Sequence, residues 1–233
     1  MLHTKTSVYS VQFSEMSYKL YNFYISSCSY RVRIALNFKN LKFEYVPIAS
    51  DMDSMREVSN LPSLKQVPVL ETPSGVLLSQ SMAIIDFLEN ANPASPKLYP
   101  SDPVLRAKSL EIAEICNAGI QPLQNRRPMK LMAAHGVSIK DWSYKICYEG
   151  MTALEEKLGE GSFSCGEEVS IADVFLRPQV YNCCNRFGVD LNEFPKCKRV
   201  VENLDRISAF KNAMPEEQVD YPGPNAPDPS SSK

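Results

Sequence analysis

Four prolines fall within residues 90–103 (Pro93, Pro96, Pro100 and Pro103), and the character of the chain changes across them. Proline fixes φ and lacks an amide N–H, so a stretch this rich in it fits neither a sheet interior nor a helix interior. It reads as a connection between two domains. On its N-terminal side the elements are short and mixed. Lys19–Tyr24 reads as a strand, Cys28–Lys39 as a helix and Phe43–Val46 as a second strand. After a polar stretch, Val67–Leu70 and Gly75–Leu78 read as strands joined by a Pro-Ser-Gly turn. Ser81 then opens a helix with Ile84, Ile85 and Leu88 at helical spacing. The order is βαβ, a connection, then ββα. Beyond residue 103 strand signals nearly vanish.

The helical half carries clear punctuation. Asp102 suits an N-cap and Pro103 the first turn, where its missing N–H costs nothing. Ile112, Ile115, Cys116 and Gly119 keep one face apolar or small until Pro122 interrupts. Met151, Leu154 and Leu158 share a face of a later helix. Val169-Ser170-Ile171-Ala172-Asp173-Val174 predicts a capping box between Ser170 and Asp173, stapled by Val169 and Val174. Its expected job is structural. The expected division is a leader over 1–18, a mixed α/β domain over 19–98, an all-α domain over 104–219 and a disordered Pro/Ser-rich tail over 220–233.

Composition removes several classes of function. A formal charge of −2 gives no basic footprint for nucleic acid. No stretch approaches the roughly 18 apolar residues of a membrane span. Residues 1–17 hold one lysine, no arginine and no long apolar core, which fits neither a secretory signal nor a transit peptide, so a cytoplasmic location is expected. The seven cysteines include no Cys-x-x-Cys pair, and His3 and His135 have no ligand-like neighbours, so no metal site is expected.

The chemistry concentrates where strands turn into helices. Ser26-Ser27-Cys28-Ser29 lies between the first strand and first helix, where unpaired N–H groups and the helix dipole favour an anion such as a thiolate. That thiolate is either Cys28 or a ligand's thiol; alternatively, the serine only caps the helix. Gln80-Ser81 sits at the next helix start and forms a second anion site. Between them, a cis bond at Val67-Pro68 would turn the Val67 N–H and C=O outward to pair with an extended peptide. The set suits a short peptide carrying a thiol and a carboxylate.

These residues are similar to those of the glutathione transferase superfamily, and most closely its zeta class, which includes the maleylacetoacetate isomerases. The resemblance spans about residues 19–222. It rests on Ser26-Ser27-Cys28-Ser29 followed by Arg31-Val32-Arg33-Ile34-Ala35-Leu36, on Gln66-Val67-Pro68, and on Gln80-Ser81. The run Gly119-Ile120-Gln121-Pro122-Leu123-Gln124-Asn125, with Ile171-Ala172-Asp173 and Arg186-Phe187, extends it. The resemblance implies a thioredoxin-like domain followed by an all-α domain, a homodimer, and glutathione as cosubstrate. It implies that Ser26 hydrogen-bonds the glutathione sulfur, supported by Ser27 and Cys28. Ser29, Tyr30, Arg31, Val67, Gln80, Ser81, Gln121 and Asn125 are then expected to complete the glutathione site.

The implied reaction is cis–trans isomerisation of maleylacetoacetate, a step of tyrosine and phenylalanine breakdown, by reversible thiolate addition. Arg186 corresponds to the class's substrate-side arginine. Arg126 and Arg127 stand where the class usually has a small or apolar pair, and add cations on the expected substrate side. Ile25 replaces an arginine usual before the double serine, and the loop between Val46 and Gln66 is short and lacks a glutamine that contacts glutathione in the class. Another unsaturated or halogenated acid is the alternative acceptor. A noncatalytic ligand carrier on the same fold is the alternative of a different class.

Overall fold

The computed structural model describes residues 17–48 and 66–226 of the 233-residue chain. Most of the expected leader, residues 49–65 between the second and third strands, and the second half of the expected tail lie outside those residues.

Four strands form one mixed sheet: β1 (Tyr18–Asn22), β2 (Phe43–Pro47), β3 (Val69–Glu71) and β4 (Leu77–Ser79), in the order β2-β1-β3-β4. β1 is parallel to β2, with Leu20 opposite Tyr45. It is antiparallel to β3, with Leu20 opposite Leu70, and β3 is antiparallel to β4. The parallel pair needs a crossover, which helix α1 (Ser27–Phe38) supplies. The β3–β4 hairpin closes through Pro73-Ser74-Gly75, where Gly75 takes a φ of +80° that favours glycine. Helix α2 (Ser81–Ala91) follows β4 and buries Ile84, Ile85 and Leu88, as their spacing predicts.

The second half is helical. It comprises α3 (Pro103–Glu114), α4 (Arg126–Ala134), α5 (Ile139–Lys157), α6 (Ile171–Tyr181), α7 (Pro195–Leu204) and the short α8 (Ser208–Lys211). Asp102 caps α3, accepting from the Leu105 N–H at 2.7 Å, with Pro103 in the first turn. The break expected at Pro122 begins earlier. Residues Ile115–Ile120 widen into a π-type turn and Gln121–Gln124 tighten into a 3₁₀ turn before α4 starts. Gly150 on α5 admits that π-type turn, because a Cβ there would lie 2.4 Å from Ile120 Cδ1.

The two halves share one core. α1 lies between α2 and α6, and Leu20, Ile34, Leu36, Leu70, Ile84, Phe175 and Leu176 are fully enclosed. The proline-rich connection is strapped at both ends. The Glu89 carboxylate pairs with buried Lys39 and accepts from the Leu98 N–H, while Leu98 O accepts from the Ile171 N–H at 2.7 Å. The capping box at α6 forms as expected. Asp173, fully buried, accepts from the Ser170 N–H and the Ser164 N–H, both at 2.8 Å.

The expected disorder from residue 220 needs correction at its start. Asp220 accepts from the Tyr24 N–H at 3.1 Å and from the Tyr45 hydroxyl at 2.5 Å, and the Tyr221 ring meets Tyr24 edge-on. A half-buried carboxylate acceptor holds this segment against the first domain, although its composition is that of a free tail.

Candidate active site

Sheet directions bring the three expected site segments to one edge. β4 is antiparallel to β3, which is antiparallel to β1, so β1 and β4 run the same way. Both therefore end at the same edge, and β3 begins there. Tyr21, Val69 and Ser79 are in register across the three strands. Ser26 follows Tyr21 by a short turn, Val67 precedes Val69 by two residues, and Ser81 follows Ser79 by two. The Val67–Pro68 bond is cis.

The first helix start combines the two readings of Ser26. Its Oγ accepts from the Ser29 N–H at 3.2 Å, so the serine is an N-cap. A hydroxyl also carries one proton, and accepting that bond leaves it free to donate to a sulfur anion. The Tyr30 N–H is bound to Ser26 O at 2.8 Å. The Ser27 and Cys28 N–H groups find no acceptor among the described residues and complete an electropositive turn. Ser26 and Cys28 are half-exposed there, whereas the Ser27 side chain is buried.

At the second helix start, the Ser81, Met82 and Ala83 N–H groups likewise find no acceptor among the described residues; Ile84 N–H is the first to bond, to Gln80 O. Gln80 is exposed and holds a φ of +73°, unusual for a residue with a side chain. Such backbone outliers concentrate at ligand-binding turns.

Three expected ligand contacts turn out to be interior. The side chains of Ser29 and Arg31 are 0% exposed and that of Tyr30 1%. Tyr30 packs edge-on against Tyr181, with ring centroids 6.3 Å apart, and burial pushes its phenol up to about 12. The reason is that α1 packs against both α2 and α6, which enclose these side chains. Arg31 Nη1 donates to Ser81 Oγ at 3.2 Å and to Asn117 Oδ1 at 2.8 Å, and its guanidinium stacks 4.3 Å from the Phe175 ring centre. Its neighbour Arg33 reaches the Ala213 and Tyr24 carbonyls and Asn22 Oδ1. Burial lowers that guanidinium only to about 10, so it stays charged at neutral pH.

The helical half approaches α1 through two turns. Asn117, bound to Arg31, lies in the π-type turn that leads to Gln121 and Asn125. Tyr181, against Tyr30, leads into a second π-type turn (Asn182–Arg186) ending at Arg186. Gln121 and Arg186 are half-buried. Asn125 is the N-cap of α4, its Oδ1 accepting from the Arg126 N–H at 2.8 Å. Arg126 is half-buried and Arg127 exposed. Asn117 carried no signal in the sequence beyond being a polar residue between Cys116 and Gly119. Three other thiols are poor nucleophiles: burial pushes Cys116 up to about 12 and Cys165 and Cys184 up to about 11. Two open surface grooves, of about 300 and 390 Å³, include none of Ser26, Cys28 and Ser81.

Fold and site together define a thioredoxin-like domain with two helix starts whose first N–H groups lack acceptors among the described residues, backed by a helical domain. The family described as glutathione S-transferase, N-terminal domain, matches residues 20–96. Maleylacetoacetate isomerase of Mus musculus is 39% identical over 209 residues, 87% of this chain and 94% of that protein. The structure of maleylacetoacetate isomerase from Anaeromyxobacter dehalogenans 2CP-1, with bound dicarboxyethyl glutathione and citrate in the active site, is similar with a TM-score of 0.82 at 35% identity. The match covers 93% of this chain and 99% of that one. A bacterial maleyl pyruvate isomerase of the zeta class matches with a TM-score of 0.81 at 34% identity, over 87% of this chain and 99% of its own. The chain belongs to the zeta class of the glutathione transferases.

Proposed function

We propose that this chain is a glutathione-dependent cis–trans isomerase of an unsaturated dicarboxylic acid, with maleylacetoacetate as the leading substrate. The observation that carries the proposal is the single sheet edge where Ser26, cis Val67–Pro68 and Ser81 meet. Free N–H groups at both helix starts fit the two anionic ends of glutathione, its sulfur and a carboxylate. Bound glutathione supplies a thiolate that adds reversibly to the conjugated double bond, so that the bond turns while it is single.

The chain's own groups do the rest. The Ser26 hydroxyl donates to the sulfur and, with the Ser27 and Cys28 N–H groups, favours its ionised form. Val67 offers its backbone to the peptide, and Gln80 and Ser81 receive a carboxylate. Gln121 and Asn125 close the site from the helical side, and Arg186 with Arg126 and Arg127 attracts an acidic acceptor. A dicarboxyethyl thioether of glutathione, as bound by the Anaeromyxobacter relative, is what thiolate addition to an unsaturated four-carbon dicarboxylate yields. This supports an acidic acceptor. The likeness to a maleyl pyruvate isomerase favours maleylpyruvate as the second candidate.

The deciding assay compares kcat/KM for maleylacetoacetate and maleylpyruvate, each with and without glutathione. A glutathione-dependent preference for the first supports the reading, and a preference for the second reassigns the acceptor. No turnover of either, with glutathione bound, would leave a ligand carrier.

Replacing both Arg126 and Arg127 with alanine is expected to raise KM for a dicarboxylate acceptor roughly 10-fold or more, the worth of a charge-assisted hydrogen bond. KM for a neutral acceptor such as a haloalkane should not change. Equal effects on both acceptors would remove these arginines from the substrate side.

We further propose a homodimer in the cytoplasm. Val104 and Leu105 at the start of α3 are 61% and 36% exposed, apolar surface of the kind a partner covers. All seven cysteines are unpaired, as in a reducing compartment. Sedimentation at micromolar concentration should give twice the 26.2 kDa chain mass.

A further inference from the structure

Four fully or nearly buried cations occur among the described residues: Arg31, Arg33, Lys39 and Arg177. Lys39 is paired with Glu89 and Arg177 with Asp205. Arg33 spends all three of its nitrogens on backbone and amide oxygens. Arg31 differs from all of them. It forms no ion pair among the described residues, and its Nε and Nη2 have no hydrogen-bond partner there although the side chain is 0% exposed; its one further contact is the Phe175 ring face. Burying a cation without an anion is costly, and such a charge raises affinity for any anion that can approach it.

Arg31 reaches the start of α2 through Ser81. That residue is 4% exposed, and its Oγ accepts from Arg31 Nη1. The bond fixes the hydroxyl so that its proton is left to donate, alongside the free N–H groups of Ser81, Met82 and Ala83. We propose that Arg31 is a positioning residue for the carboxylate end of the bound peptide. Its uncompensated charge lies behind the start of α2, orients Ser81, and is neutralised when the carboxylate binds. Because Nη1 also holds Asn117 of the helical half at 2.8 Å, one side chain ties carboxylate binding to the seam between the two halves.

The inference rests on the glutathione-binding reading above. Its probes are glutathione and the analogue whose γ-glutamyl α-carboxylate is an amide, titrated calorimetrically into the full chain. The wild type is expected to prefer glutathione by roughly 10- to 100-fold, the range for a desolvated charge-assisted hydrogen bond. Wild-type protein that binds neither would refute the glutathione reading itself, independently of Arg31.

Arg31→Gln is expected to shrink the preference to within about threefold. It should raise KM for glutathione while leaving kcat at saturating glutathione nearly unchanged. Asn117→Asp tests the same idea without removing the buried charge, by giving Arg31 an internal carboxylate. Although the new carboxylate also faces Glu114, it should lower the preference by about 10-fold, because the cation is already neutralised. A merely structural Arg31 would make Arg31→Gln less stable with the preference intact. Full preference in folded Asn117→Asp would overturn the proposal even if Arg31→Gln fails to fold.

Discussion

Ser26→Ala is expected to lower turnover by roughly 10²-fold or more, the usual loss when a positioned donor to a developing or resident anion is removed. Affinity for glutathione should fall much less, since the contacts proposed for Val67, Gln80 and Ser81 are untouched. Ser26 also accepts from the Ser29 N–H, so the variant loses a helix cap worth about 1 kcal/mol. Ser26→Gly separates the two effects: glycine is nearly as good a cap as serine but has no hydroxyl. It should match alanine in turnover and exceed it in thermal midpoint. Cys28→Ala should change turnover by less than about 10-fold, because the half-exposed thiol borders the site without holding the sulfur. The opposite ranking, with Ser26→Ala active and Cys28→Ala inactive, would make Cys28 the essential group.

The largest stability loss is expected at Asp173. Among the described residues its carboxylate is the acceptor for the buried Ser164 and Ser170 N–H groups, and it closes the capping box of α6. Asp173→Ala leaves both donors unsatisfied and removes the box, which costs about 3 kcal/mol or more. For a chain of this size that is a fall of roughly 6–12 °C in thermal midpoint. The protein that remains folded should keep near-normal turnover, because Asp173 is fully buried inside the helical half. Lost turnover at full stability would place Asp173 in the chemistry instead of the scaffold.

The legible parts of this protein were those fixed by local rules. Pro103 after Asp102, the Ser170–Asp173 box and the apolar spacing of α2 each placed an element near its observed position. The βαβ and ββα units, with the turns at Ser26 and Ser81, gave the thioredoxin-like half and both helix starts. Strand ends shifted by a residue or two, as at β3, which begins at Val69 and not Val67.

What local rules did not reveal depends on neighbours far away in the chain. The resemblance names Ser29, Tyr30 and Arg31 for the glutathione site, and local rules did not reveal that α1 has neighbours on every side that enclose these side chains. The partners that enclose them, Tyr181 and Asn117, are 151 and 86 residues distant in sequence. The π-type turns after α3 and α6 have no simple sequence signature, yet they lead to Gln121 and Arg186. Asp220 looked like the start of a free tail because the donors it satisfies, on Tyr24 and Tyr45, belong to the other end of the chain.

The central claim is that glutathione acts as a recycled nucleophile on a cis-unsaturated acid held at the Ser26 turn. The most direct test supplies maleylacetoacetate in large excess over glutathione and follows both acid isomers and free thiol. Many trans products per glutathione, with the thiol titre unchanged at the end, is the expected result. Product limited to one equivalent of glutathione with matching thiol loss, or equal turnover with no glutathione present, would contradict the account.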